Sequence, residues 1–440
     1  MFKKIIIALF VGIVFFCIAL FVFTTVQAKL VGVIAFLVVF WTNEGLPLGA
    51  VSLLPIILFP SLGILSTNAT SANYSQSIIF LFLGGFMIAI AVEKSGLHKV
   101  IANKIISLFP STIRGIIFAL SITSGVLSSF LSNTTTTLLL MPLALFLTNN
   151  INIKMRFVLA IAYGASVGGI MTPIGTPPNL ILMGILEQSG LQSIAFASWF
   201  GMVAPLALIM FIVVPFVLSI GAENIKITRD ESIKAMNSDQ KKVMYALLGL
   251  IVILFTNAPI EPYYSGFGLN EKGLLLGFGL MMFAPPFNIL KWEDSKKIPY
   301  EIIFLFGAGF SIAAAFTATG LSQSIANYLL DITSLPPFIL LLVIASLITF
   351  TTEITSNTAL ISMMLPVLYA VTKTANLDPV LFMMVATICS SYAFMLPIAT
   401  PPNAIAMSSG AVNIKDMMRY GVVFNLVGIF LISVISHFFW

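Results

Sequence analysis

The chain alternates between long apolar runs and short polar loops over its whole length. The runs are about as long as a bilayer-spanning helix requires, and they are continuously apolar rather than alternating, which favours helices over a β-barrel. We therefore predict an all-α polytopic membrane protein with eleven transmembrane helices. They are expected at residues 4–26, 29–42, 46–65, 77–93, 155–187, 196–219, 242–257, 272–289, 301–317, 378–408 and 417–438.

Two further apolar segments, residues 116–148 and 337–372, are each interrupted in the middle by the sequence Ser-Asn-Thr. The interruptions are Ser132-Asn133-Thr134 and Ser356-Asn357-Thr358. Residues of these types cap helix N-termini, so each motif predicts a point where one helix stops and another begins. We interpret both segments as re-entrant hairpins, which enter and leave the membrane on the same side.

Two of the predicted spans, 155–187 and 378–408, contain the sequence Thr-Pro-Pro-Asn. Adjacent prolines lack N–H donors and push the preceding residue out of the α region. We therefore predict breaks at Gly175-Thr176 and Ala399-Thr400. Unwound backbone at membrane depth is tolerated only where it is buried in protein or lines a cavity, so both breaks are candidate binding elements.

An internal repeat relates these features. Residues 78–97 and 302–321 are identical at twelve of twenty positions at an offset of 224, which also superposes both Ser-Asn-Thr motifs and both Pro-Pro-Asn motifs. Each copy contains an odd number of spans, so we predict two inverted-topology repeats. The predicted organisation is an extra N-terminal span at 1–28, repeats at 29–220 and 242–440, and a cytoplasmic linker at 221–241.

Composition and charge support a membrane location. The chain is 59% hydrophobic and 8% charged, whereas soluble proteins have about 25% charged residues. With the N-terminus inside, 18 of the 21 basic residues fall in loops assigned to the cytoplasm. This bias is the positive-inside pattern, and it excludes a nucleic-acid partner as the reason for the net charge of +5. We predict a multi-pass protein of the bacterial inner membrane with its C-terminus outside.

The N-terminus also resembles a signal peptide, because Lys3 and Lys4 precede an apolar stretch that ends at Val26-Gln27-Ala28. The stretch is longer than an ordinary signal core, so we interpret it as an uncleaved first span.

The motifs predict an anion site with a cation beside it. A half-helix N-terminus at each tip would stabilise an anion, and the Asn amide and Thr hydroxyl can donate to a carboxylate. Freed carbonyls can ligate a small cation. The membrane segments lack a chain of acidic or His residues, which favours Na⁺ over a proton relay. Glu353 is either a hydrogen-bond acceptor near the site or a residue at a solvated hairpin base. The two histidines, His98 and His437, are expected to be solvated.

Other interpretations explain less. In one alternative, the four motifs are capped kinks that only shape the fold. Irregular backbone in the membrane is costly without a function, and the internal repeat pairs all four motifs, so we consider this alternative weaker. An intramembrane enzyme would need a nucleophile with a base or a metal cluster, and the chain has no Gly-x-Ser-x-Gly sequence and no intramembrane His. A passive channel does not explain the inverted repeat. We expect neither an enzyme nor an organic cofactor.

The paired motifs, together with the stretch from Trp292 to Tyr300 before Leu305–Gly309, resemble the divalent-anion:sodium symporter family. This family contains the sodium–dicarboxylate and citrate transporters, and the resemblance covers nearly the whole chain. It implies a homodimer with a scaffold domain and an elevator-like transport domain. It also implies Na⁺-coupled uptake of succinate, malate or fumarate. Citrate or sulfate symport, and Na⁺-independent di- or tricarboxylate exchange, stay open.

The resemblance also implies which residues bind. One Na⁺ site would consist of Ser128, Ser132, Asn133 and Gly175, and a second of Thr352, Thr355, Asn357, Ala399 and Pro401. The substrate carboxylates would contact Asn133, Thr134, Asn357 and Thr358, with Thr176 and Thr400 nearby. Thr135 stands where many members have alanine, and Thr355 stands where a small residue is common. We expect these departures to affect substrate preference.

Overall fold

A computed structural model describes residues 2–43, 45–222, 235–259, 263–329, 333 and 335–440. Within these ranges the chain forms α-helices and two short 3-10 helices, and it contains no β-strand. The helices before the linker are α1 Phe2–Ala19, α2 Thr25–Asn43, α3 Leu48–Ser52, α4 Pro55–Ser61, α5 Thr67–Ala72, α6 Ser77–Ser95, α7 Leu97–Ser107, α8 Ile113–Ser128, α9 Asn133–Phe146, α10 Ile151–Gly169, α11 Pro177–Gln188 and α12 Phe196–Ser219.

The helices of the second half are α13 Ser238–Asn257, α14 Glu271–Met281, α15 Tyr300–Thr319, α16 Leu321–Leu329, α17 Pro337–Thr352, α18 Asn357–Thr374, α19 Pro379–Ser390, α20 Pro401–Ser408 and α21 Ile414–Phe439. In this half, α15–α21 repeat the order of α6–α12, whereas the helices before α15 differ from those before α6. The helices α6 and α15 both end at a glycine with positive φ, Gly96 at 74° and Gly320 at 69°, which terminates a helix without side-chain strain. These two glycines are also 224 residues apart.

Six helical stretches among the described residues are long and apolar enough to cross a membrane by themselves. They are Phe2–Ala19, Thr25–Asn43, Thr67–Ser95, Phe196–Ser219, Tyr300–Thr319 and Ile414–Phe439. The architecture is therefore that of an α-helical membrane protein. The count of eleven spans and the re-entrant course of the two hairpins stay predictions.

Three predicted spans have different bounds in the structure. The span at 46–65 is wrong as one helix, because α3 ends at Ser52 and α4 begins with Pro55 at its first turn. The span at 272–289 is too long, because α14 ends at Met281 shortly before two prolines. The first span ends at Ala19 instead of residue 26. Most of the predicted linker at 221–241 lies outside the described residues, and its last part belongs to α13.

The prediction that His98 is solvated is wrong. His98 lies in the amphipathic helix α7 and is 5% exposed, with Nδ1 at 3.2 Å from the carbonyl oxygen of Val92. Burial lowers the pKa of this imidazole, so it is neutral near neutral pH. It anchors α7 to the end of α6.

Polar and charged groups mark both ends of α6. At its start, Ser77 contacts Glu187 and Lys272, and at its end Lys94 forms an ion pair with Asp294 at 2.6 Å. Nineteen residues at about 1.5 Å each separate these ends by about 28 Å. That distance is close to the thickness of the hydrocarbon core, so α6 fits a bilayer between two polar surfaces.

The four broken regions pack into one unit. The helices α8 and α10 approach closely at small residues: a Cβ on Gly168 would lie 2.0 Å from the carbonyl oxygen of Gly125. Such close backbone contact is how membrane helices associate through small residues. The helix α9 contacts α20, and α11 contacts α18, so each hairpin packs on the broken helix of the other half.

Candidate functional site

The first tip is formed where α8 ends and α9 begins. Ser132 has an extended backbone, and its Oγ accepts a hydrogen bond from the backbone N–H of Thr135 at 3.1 Å. Its hydroxyl also donates to Oγ1 of Thr135 at 2.8 Å. The cap satisfies one free N–H of the new helix, and this explains locally why α9 begins at this motif.

Asn133 is held in one orientation at this tip. Its Oδ1 accepts a hydrogen bond from the hydroxyl of Ser128 at 2.5 Å. A Cβ on Gly169 would lie 2.5 Å from the same oxygen, so the side chain lies against the bare backbone of α10. Within the described residues Nδ2 of Asn133 donates no hydrogen bond. The amide therefore offers free donors to a ligand.

The second tip repeats this arrangement. Oγ1 of Thr352 lies 2.6 Å from Oδ1 of Asn357 and 2.9 Å from the carbonyl oxygen of Ser390. Thr352 and Asn357 are the residues that the offset of 224 pairs with Ser128 and Asn133. In the described part of the chain Nδ2 of Asn357 also lacks an acceptor.

The two tips differ in how their helices are capped. Ser356, the N-cap residue of α18, makes no capping hydrogen bond through its side chain, whereas Ser132 does. The partner of Ser132 is Thr135, whose counterpart in the second half is Ala359. The hydroxyl of Ser132 is thus partly engaged by Thr135, while the hydroxyl of Ser356 stays available.

The two Pro-Pro-Asn asparagines stabilise the breaks. Nδ2 of Asn179 donates to the carbonyl oxygens of Gly169 at 3.2 Å and Thr172 at 2.9 Å. Nδ2 of Asn403 donates to those of Ala393 at 2.9 Å and Leu396 at 3.0 Å. The donor and the two acceptors of the first break are each 224 residues before their counterparts in the second break. Each side chain satisfies carbonyls that the unwound segment leaves without helical partners.

Each half-helix after a break begins with an extended threonine. Thr176 has φ −144° and ψ 145°, and Thr400 has φ −142° and ψ 149°. Neither hydroxyl caps its own helix, and both residues are buried. The Oγ1 atom of Thr400 is buried without a partner among the described residues. It is therefore a candidate contact for a ligand.

Glu353 braces the second break. Its carboxylate accepts hydrogen bonds from the backbone N–H groups of residues 394–396 at 2.8 to 3.0 Å. It also accepts one from Nδ2 of Asn425 at 2.6 Å, and the residue is 3% exposed. The structure therefore places Glu353 as a buried acceptor that positions the unwound backbone, and not at a wet hairpin base.

A cavity of about 780 Å³ reaches the second tip and the second break. It is lined by the predicted site residues Thr355, Ala399, Thr400 and Pro401, and by Ser356. It is also lined by Trp41 and Thr42 at the end of α2, by residues 45–48 and by Glu301. A smaller cavity of about 270 Å³ lies at the corresponding end of the first half and reaches Pro173 and Ile174.

The sequence-predicted residues thus form two groups. In the first group Asn133 and Gly175 both lie against Gly169, since a Cβ on Gly175 would lie 2.4 Å from its carbonyl oxygen. Ser128 contacts Asn133, and Ser132 contacts Thr135 at the same tip. Thr352 contacts Asn357 directly. Thr355 donates to the carbonyl oxygen of Thr351 at 2.9 Å and also lines the large cavity. Thr134 is partly exposed beside Asn133, and Thr358 is 9% exposed beside Asn357.

Three features were not predicted from the sequence. Glu301 in the cavity wall and the Asn425 contact of Glu353 depend on distant packing and carry no local signal. The third is the donation from Asn179 and Asn403 to the backbone of the breaks. The sequence offers one signal for it, because the two asparagines are paired by the offset of 224.

Comparison with known proteins places the chain in a family. Residues 36–387 match a family model described as citrate transporter. The chain is 31% identical over 431 residues to the sodium-dependent dicarboxylate transporter SdcS of Staphylococcus saprophyticus, covering 90% of this chain and 83% of that protein. The SdcS protein of Staphylococcus aureus strain NCTC 8325 is 30% identical over 433 residues with the same coverage.

A solved structure has a similar fold. The crystal structure of the YdaH transporter of Alcanivorax borkumensis superposes with a TM-score of 0.58 and 16% identity, over 84% of this chain and 87% of that chain. At this identity the likeness shows the fold alone. The family model and the curated relatives show that the protein is a multi-pass membrane transporter and not an enzyme. The chain belongs to the divalent-anion:sodium symporter family.

Proposed function

We propose that the protein couples the uptake of a C4-dicarboxylate such as succinate, malate or fumarate to Na⁺. The observation that carries this proposal is the pair Asn133 and Asn357. Each lies at a half-helix N-terminus with its Oδ1 fixed by a hydroxyl and its Nδ2 free. Two such amides can each bind one carboxylate of a dianion, and helix N-termini stabilise negative charge.

The surrounding donor set supports Na⁺ as the co-transported ion. Hydroxyl and amide oxygens meet at Ser128 and Asn133 and again at Thr352 and Asn357. In this proposal the backbone carbonyls of Gly175 and Ala399 complete the two donor sets. Neutral oxygen donors of this kind suit a hard monovalent cation. The named activity of the SdcS relatives, sodium-dependent dicarboxylate transport, agrees with this assignment. In this proposal Na⁺ supplies the positive charge that the site lacks.

We further propose an elevator-type movement of the four broken regions as one unit. Their mutual packing supports rigid-body motion, since α9 contacts α20 and α11 contacts α18. The unequal cavities, about 780 Å³ and about 270 Å³, support a state open toward one face. The predominance of basic residues in the loops on that side supports a cytoplasmic location for this face. In the same proposal the remaining helices act as a scaffold that forms a homodimer.

Replacing Na⁺ by choline should reduce succinate uptake to the level of protein-free vesicles. The reason is that the described residues of the proposed site include no basic side chain, so a bound dianion needs a cation to offset its charge. The measurement is uptake of labelled succinate into proteoliposomes, with citrate and sulfate as competitors. Uptake that continues without Na⁺ whenever the lumen contains dicarboxylate would instead identify an exchanger.

Gly169→Ala should lower succinate uptake at least tenfold while the protein is still inserted in the membrane. A Cβ at this position would lie 2.5 Å from Oδ1 of Asn133, and the tip would have to shift. Overpacking of this kind costs about 1–3 kcal/mol. A suitable control is Gly201→Ala, because a Cβ there meets nothing within 4 Å. Normal transport by Gly169→Ala would contradict the importance of this contact.

A further inference from the structure

Glu301 lines the cavity of about 780 Å³ together with residues of the second tip and the second break. It lies in the first turn of α15 and packs beside α3, where a Cβ on Gly49 would be 3.2 Å from its Cγ. Among the described residues that line this cavity, Glu301 is the one ionisable side chain. It is exposed, and it forms no ion pair or hydrogen bond within the described part of the chain.

The corresponding end of the first half is built differently. The offset of 224 pairs Glu301 with Ser77 and pairs Leu48, another cavity residue, with Lys272. Nζ of Lys272 lies 2.6 Å from Oε2 of Glu187 and donates to Oγ of Ser77 at 2.7 Å. The carboxylate of Glu187 is therefore neutralised at that face, whereas the carboxylate of Glu301 has no such partner.

The size of the cavity brings this carboxylate within electrostatic range of a bound anion. A volume of about 780 Å³ corresponds to a sphere about 11 Å across. Charges at such a separation interact appreciably at the effective dielectric constant of a partly buried site, and the Debye length at about 0.1 M salt is about 10 Å. A dianion experiences twice the repulsion of a monoanion.

We propose that Glu301 is a specificity-determining residue that lowers the affinity of the cytoplasm-facing site for dianions and thereby favours their release. The proposal rests on dicarboxylate transport as the proposed function. The carboxylate does not contact the substrate; it acts through its charge across the cavity. The smaller cavity at the other face is lined by Glu271 and also by Lys272, so a cation lies beside its carboxylate, whereas no basic residue is found among the described residues that line the large cavity. The net repulsion is therefore confined to the cytoplasmic side.

The test compares Glu301→Gln with the wild-type protein in inverted and right-side-out membrane vesicles at saturating Na⁺. The expected result is a fall of roughly three- to tenfold in half-saturating succinate at the cytoplasmic face, with no change at the outer face. The shift should become smaller when choline chloride is raised from about 0.05 to 0.5 M, because salt screens the repulsion. Glu301→Asp should behave like the wild type.

Glu293→Gln is the matched control, since Glu293 is an exposed residue of the 3-10 helix Trp292–Lys297 before α15 and does not line the cavity. Equal succinate affinities for Glu301→Gln and wild type, or a shift that salt does not change, would overturn the proposal. A changed Na⁺ half-saturation without a changed succinate half-saturation would also overturn it, by assigning the carboxylate to the cation. Absence of succinate transport by the wild-type protein would instead refute the proposed function.

Discussion

Asn133→Ala and Asn357→Ala should each abolish succinate uptake without reducing the amount of protein in the membrane. Each substitution removes the free Nδ2 donor and the Oδ1 that Ser128 or Thr352 orients. A hydrogen bond to a charged group contributes about 1.5–3 kcal/mol, and the loss of a cation ligand adds to this. We therefore expect uptake to fall by about 100-fold or more in each variant, measured with labelled succinate in proteoliposomes.

The two variants should also differ from a control of the same type. Asn152→Ala removes an exposed asparagine from the first turn of α10 and should transport normally. Thermal unfolding in detergent should occur at only a slightly lower temperature for the two tip variants than for Asn152→Ala, since each tip variant loses one hydrogen bond from a buried hydroxyl to Oδ1. Unchanged transport by both tip variants would contradict the site assignment. Loss in only one would contradict the proposal that the two tips contribute equivalent halves.

Much of the fold follows from local sequence signals. The tip motifs predict helix starts at Asn133 and Asn357 because Ser, Asn and Thr favour N-caps, and α9 and α18 begin at these residues. The predicted spans at 46–65 and 272–289 differ from the structure because they rest on average apolarity alone. Average apolarity does not register Pro55 or the pair Pro285-Pro286, although proline chemistry already argues against a continuous helix there.

The site depends more on tertiary packing than the fold elements do. A donor such as Asn179 or an acceptor such as Glu353 can be recognised in the sequence, but its partners are set by which backbone groups lie within 3 Å after folding. The partner of Glu353 on α21, Asn425, is 72 residues away. Glu301 is less predictable still, because only the shape of the cavity shows what it faces.

The asparagines after the paired prolines donate hydrogen bonds to the backbone of the unwound segments. Asn179 and Asn403 are each fully buried, and each uses Nδ2 for two carbonyl oxygens while Oδ1 has no partner among the described residues. An acceptor role for Oδ1 toward a transported ion is the competing interpretation. Substitution by aspartate distinguishes the two interpretations, because aspartate keeps an acceptor oxygen and the shape of the side chain but loses both N–H donors.

Asn179→Asp and Asn403→Asp should each lower the thermal stability and reduce transport at least tenfold. Two buried carbonyl oxygens would lose their donors and face a carboxylate, and each unsatisfied group costs about 1–3 kcal/mol. The measurements are thermal unfolding in detergent and succinate uptake. Asn150→Asp is the matched control, since Oδ1 of Asn150 only accepts from backbone N–H groups at the start of α10, a role that aspartate fills equally well. Full stability and transport in both variants would show that Nδ2 does not hold the breaks and would favour Oδ1 as the functional atom.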